Sequence, residues 1–168
     1  MPGFAGQSLA ALLSALAGDR LTLLARHEAA ARVVAHYDFN NTYQYVIARE
    51  DTHLAWLSEA LADCAATLPS LSVRLEDPVA PRGSKAEAFR DILLEDARHL
   101  KAFGERWQRR VEAIPQARLR LMLGVVLGES REHLRLFEQA AAGFEDVLGR
   151  RTAGAPRIGG VLPSRWQA

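Results

Sequence analysis

A chain of 168 residues with 49% hydrophobic content carries enough apolar material for one domain with a sizeable core. Its 21 basic and 20 acidic residues leave a formal charge of +1, which argues against a nucleic-acid partner or an anionic membrane surface. The single cysteine, Cys64, excludes an intrachain disulfide and a four-cysteine metal site, and no apolar run approaches the roughly 20 residues needed to span a bilayer. The opening MPGFAGQSLAALLSALAG lacks the basic start of a secretory signal, so the expected compartment is the cytoplasm.

Apolar side chains recur at three- and four-residue spacing almost throughout, and no strand-like alternation is sustained, so the expected class is all-α. Gly18-Asp19 is expected to separate a short helical extension, residues 1–18, from a first long helix over 19–37. The polar FNNT follows, and Asn40 or Asn41 is the expected cap of a second helix reaching about residue 66. The stretch TLPSLSVRLEDPVAPRG has three prolines and no helical period, so residues 66–83 read as an irregular connection. Ser84 and Glu87 of SKAE fit a capping box for a third helix ending near residue 114. Pro115 suits the first position of a fourth helix, which is expected to reach about residue 148. A bundle over 19–148 and an extended tail over 149–168 complete the organisation.

Acid and histidine pairs sit on these helices at same-face spacing: Glu50 with His53, Glu95 with His99, and Glu129 with His133. The first helix offers Glu28, with His27 beside it. Phe39 lies midway between Glu28 and Glu50, and Ile114 lies midway between the two later pairs. In two antiparallel hairpins the pairs therefore share a height, about 18 to 25 Å from the turns at about 1.5 Å of rise per residue. The connection over 66–83 is long enough to cross a bundle at roughly 3.3 Å per residue. Apolar neighbours flank each pair, and a buried carboxylate without a partner costs several kcal/mol, so clustered buried acids call for cations.

These residues resemble the ferritin-like superfamily of di-iron carboxylate four-helix bundles, which includes rubrerythrins and bacterioferritins. The resemblance covers residues 19–148 and implies one long crossover between the second and third helices. It also implies a glutamate ligand from the first and third helices and a Glu-x-x-His pair from the second and fourth. Residue by residue, that assigns Glu28, Glu50 with His53, Glu95, and Glu129 with His133; EDTH matches the family motif letter for letter, whereas Glu129 and His133 are one residue further apart than the family pattern. His99 becomes an additional nitrogen ligand or an outer-shell group. The implied cofactor is a pair of iron ions, with manganese or zinc as other metals suited to carboxylate and imidazole. The implied partners are dioxygen or peroxide, in ferroxidase, peroxidase or hydroxylase chemistry, and the implied assembly is a homo-oligomer such as a homodimer.

The other expectation is a metal-free helical bundle serving as an interaction or structural module, in which Arg49, Arg98 and Arg131 pair with the neighbouring acids. Tyr43, Phe103, Trp56, Trp107 and Phe137 read as packing residues, and His36 as a group at the end of the first helix. The tail carries Ile158, Val161, Leu162 and Trp166, which is too apolar for a solvated linker. It is expected to pack on its own bundle or across a homodimer, or to dock on a partner; it loosely resembles the short tails that carry ferritin-like cargo into encapsulin shells.

Overall fold

The computed structural model describes residues 8–150, and the expectations for residues 1–7 and for the tail beyond residue 150 lie outside the described residues. Four long helices form the chain: α1 (Leu9–Val33), α2 (Tyr37–Asp63), α3 (Arg90–Glu112) and α4 (Ala117–Ala141), with a short 3-10 turn at Ala86–Phe89 before α3. No strand occurs among the described residues. None of these helices is long and apolar enough to cross a membrane.

Gly18-Asp19 does not divide the first helix. A glycine inside a helix costs about 1 kcal/mol but stops nothing by itself, and Leu12, Leu13, Leu16 and Ala17 bury the same side of α1 that Leu23 and Leu24 continue. Residues 9–18 are thus the first turns of α1, started by Ser8, whose hydroxyl accepts from Ala11 N at 3.2 Å. The second helix is also capped differently. His36, not Asn40 or Asn41, holds the cap position, with Nδ1 accepting from Phe39 N. Asn40 lies buried in the first turn of α2 and serves the preceding helix: its amide donates to Ala31 O at 2.9 Å and to Val34 O at 3.2 Å. These carbonyls at the end of α1 have no partner within the helix.

Ser84 and Glu87 form no capping box, because the chain enters α3 through the 3-10 turn, whose cap position is Lys85 and whose last residue, Phe89, is fully buried. Pro115 lies in the turn between α3 and α4, one residue before the cap Gln116. α4 stops at Ala141, short of residue 148, with Gly143 taking φ 103° just beyond it. Only a residue without a Cβ adopts that conformation cheaply.

The packing fixes the directions of the helices. Asp19 meets Arg106 and Trp107 while Arg26 meets Asp96, so α1 and α3 are antiparallel. Arg49 meets Glu129 and Tyr43 meets Phe137, so α2 and α4 are antiparallel as well. His36 against Phe89 and Tyr43 against Asp96 make α2 and α3 parallel. Two consecutive parallel helices need a connection that runs the length of the bundle. Residues 64–85 supply it along α1: Pro69 stands beside Gly18, and Asp77 is gripped by Arg32 at 2.6 Å. That stretch follows roughly 21 Å of α1, within the reach of eight extended residues.

Candidate functional site

The apolar interior is interrupted by polar and ionisable side chains from all four helices. Arg20 and His27 come from α1, Glu50 and His53 from α2, Asp96 from α3, and Ser130 and His133 from α4; all are buried. Each stands on its helix's apolar stripe. On α1 the row Leu13, Leu16, Arg20, Leu23, His27 keeps three- and four-residue steps, and on α3 the row Leu93, Asp96, Leu100 does the same.

Glu50 is the centre of the network. Arg20 Nη1 donates to its Oε1 at 2.9 Å, His27 Nδ1 lies 2.8 Å from its Oε2, and Arg20 Nη2 donates to Ser130 Oγ at 2.5 Å. The Ser130 hydroxyl donates in turn to Val126 O at 2.7 Å, and the Arg20 guanidinium lies over the Phe103 ring, 4.3 Å from its centre. Burial opposes the charge on Glu50, but His27 and Arg20 outweigh it and hold the carboxyl below its ordinary range. Burial likewise opposes the charge on His27, yet the Glu50 carboxylate, helped by Asp96, raises its pKa. Burial lowers the pKa of Arg20 against the pull of Glu50 and Glu129.

The second part of the network is neutral imidazole. Burial, reinforced by the nearby Arg20 charge, brings His53 down to about 4; burial brings His133 down to about 3. His53 Nε2 lies 2.7 Å from Glu129 Oε2, so with Glu129 ionised that nitrogen carries the proton and Nδ1 keeps a lone pair. Glu129 is partly buried and is also held by Arg49 at 2.8 Å and 3.0 Å. The His53 and His133 rings stack with centres 6.3 Å apart. Further along, Tyr43 donates to Asp96 Oδ2 at 2.6 Å, and burial raises the pKa of both groups. A cleft of about 370 Å³ between α1, α3 and residues 75–79 reaches Asp96 from solvent and is lined by Arg26 and Glu95.

Four of the seven residues expected as ligands are therefore brought together: Glu50, His53, Glu129 and His133. Three are not. Glu28 is only partly buried, one residue and about 100° around α1 from His27, which takes the interior position. Glu95 and His99 are partly exposed and bond each other, at 3.0 Å, while Glu95 also pairs with Arg98; Asp96 is the buried acid of α3. Of the arginines considered as ion-pair partners, Arg49 and Arg98 do pair with acids, whereas Arg131 is exposed on α4. Phe103, Trp107, Phe137 and Tyr43 are core residues, while Trp56 is only partly buried.

Several buried nitrogens in this network have no hydrogen-bond partner among the described residues: His27 Nε2, His53 Nδ1, and both ring nitrogens of His133. Buried polar atoms are normally satisfied, and neutral imidazole nitrogens with lone pairs suit a transition-metal ion. The donor set does not suit the expected pair of iron ions. Both Glu50 oxygens are engaged, Arg20 already brings a cation to that carboxylate, and the carboxylates expected from α1 and α3 are not in the interior.

The fold and site thus define a four-helix bundle with a buried, histidine-rich ionisable network. No family model, no curated protein and no solved structure matches the chain.

Proposed function

We propose that the chain is a ferritin-like metal-binding bundle that takes one ion, with His53 and His133 as nitrogen ligands and Glu129 as the carboxylate, drawn together when the ion binds. The observation that carries this reading is His133, fully buried with neither ring nitrogen satisfied among the described residues, its ring centre 6.3 Å from that of His53. Two imidazoles and one carboxylate are a donor set suited to ferrous iron, and zinc or manganese accept similar donors. Bound iron would supply electron exchange with dioxygen or peroxide. The protein's own part is to hold both imidazoles neutral, to keep Glu50 ionised through Arg20 and His27, and to keep bulk water from the ligands.

Metal analysis after anaerobic loading of chelator-stripped protein with ferrous iron tests the reading. About one iron per chain, lost in the His53→Ala/His133→Ala double variant, is expected. Two irons per chain would restore the dinuclear centre, and none would reject the metal reading. The second reading, a metal-free structural module, is favoured by the Arg20 and Glu50 pair, which neutralises the buried carboxylate without an added ion.

A further inference from the structure

At the end of the bundle away from the crossover's start, three donors from separate parts of the chain converge. His36 belongs to the α1–α2 turn, Asp38 to the first turn of α2, and Glu145 to the segment after α4. One ligand atom from each lies within 4.8 Å of the other two. We propose that this corner is a divalent-cation site, separate from the interior network, that takes zinc through one imidazole nitrogen and two carboxylates and fastens residues 142–150 to the α1–α2 turn.

The geometry is that of a prepared ligand set. The His36 ring is buried and fixed in orientation, stacked on Phe39 with centres 4.1 Å apart and edge-on to Phe89 at 6.4 Å. Its Nε2 points at Glu145 Oε1, 3.0 Å away. Asp38 is buried at the start of α2, where the helix dipole favours its negative charge. Glu145 is the least buried of the three, which gives the ion a way in and lets one carboxylate close on it. A divalent ion would bind both carboxylates and the imidazole nitrogen at once.

Zinc accepts mixed nitrogen and oxygen donors at roughly 2.0 to 2.2 Å and tolerates a water as fourth ligand. Binding through His36 Nε2 requires that nitrogen's proton to move to Nδ1. The hydrogen bond given up is the contact from Phe39 N, which at 3.4 Å is long for an amide donor. Little is therefore lost at the cap.

The test uses the full chain stripped with chelator and titrated with zinc against a chromophoric zinc indicator, together with amide hydrogen exchange with and without zinc. Glu145→Gln keeps the side chain's shape at a partly exposed position and is expected to fold normally, as circular dichroism checks; Asp38→Asn serves as a second variant. The wild type is expected to bind one more zinc per chain than Glu145→Gln, the difference is expected to persist in a His133→Ala background, and zinc is expected to slow exchange over residues 142–150 in the wild type alone. Equal stoichiometry in wild type and Glu145→Gln overturns the site. A stoichiometric difference without slowed exchange at 142–150 places the ion elsewhere and overturns it as well. Because the reading compares variants at this corner, it stands or falls independently of iron at His53 and His133.

Discussion

Arg20 decides the character of the interior more than any other residue. Its guanidinium is fully buried and carries the charge that keeps Glu50 ionised. Removing one member of a buried pair strands the other, at a cost of about 3–5 kcal/mol. Arg20→Met and Glu50→Gln are each expected to lose stability in that range in urea titrations. The Arg20→Met/Glu50→Gln double variant should cost less than the sum of the singles by about 2 kcal/mol, since neither charge is then stranded. Additive losses would show that the pair is not coupled. His53 and His133 give a second residue-scale prediction. Their folded pKa values, about 4 and about 3, lie below the unfolded value of about 6.5. The unfolded chain therefore binds more protons as pH falls below 6.5, and the stability these residues contribute is present above that pH and lost as pH drops towards 4. His27, whose folded pKa is raised, contributes fully below 6.5 and loses its part only as pH rises through the folded value, so it is constant in this window. In chelator-stripped protein the urea midpoint is expected to fall from pH 6.5 to pH 5, with a shallower slope in His133→Gln.

At the scale of elements, the α1–α2 turn shows how a polar run read as one helix's start serves as another's end. Asn40 satisfies two carbonyls at the end of α1 while lying inside α2. Asn40→Ala leaves those buried carbonyls without their donor, and the expected loss is about 1–3 kcal/mol. Asn40→Asp replaces the donor with an acceptor facing two carbonyls and is expected to lose more, which thermal unfolding of the two variants in parallel would check. The same element logic explains the site residues that differ from expectation. Spacing within each acid and histidine pair selects Glu28, Glu95 and His99, but the apolar stripe of the whole helix selects Arg20, His27 and Asp96. The row Leu93, Asp96, Leu100 was available in the sequence as a signal that Asp96, not Glu95, faces inward.

At the scale of the whole molecule, the proposed metal site makes stability depend on the ion. An ion bound to the folded chain and not to the unfolded one stabilises it by RT ln(1 + [L]/Kd), about 2.7 kcal/mol at a hundredfold excess over Kd. Anaerobic ferrous iron is therefore expected to raise the unfolding midpoint of the wild type, and to leave that of the His53→Ala/His133→Ala variant unchanged. An equal rise in both would place the stabilising ion outside the proposed ligands. The crossover along α1 belongs to the same scale, since it makes α2 and α3 parallel and so brings Tyr43 to Asp96 and His36 to Phe89.

Helical periodicity and the proline-rich break expected over residues 66–83 determined by themselves an all-α chain of long helices, because these are local properties of spacing and backbone freedom. The in-register placement of Glu50, His53, Glu129 and His133 was legible for the same reason: fixed rise along a helix converts residue counts into heights. What only the tertiary structure decided is rotation about each helix axis and the identity of the partners. A step of one residue turns a side chain by about 100°, so Glu28 or His27, and Glu95 or Asp96, could be told apart only by how each helix packs on its neighbours. The meeting of Arg20 with Glu50 and Ser130, and of His36 with Glu145, joins residues far apart in the chain whose proximity depends on how the four helices assemble.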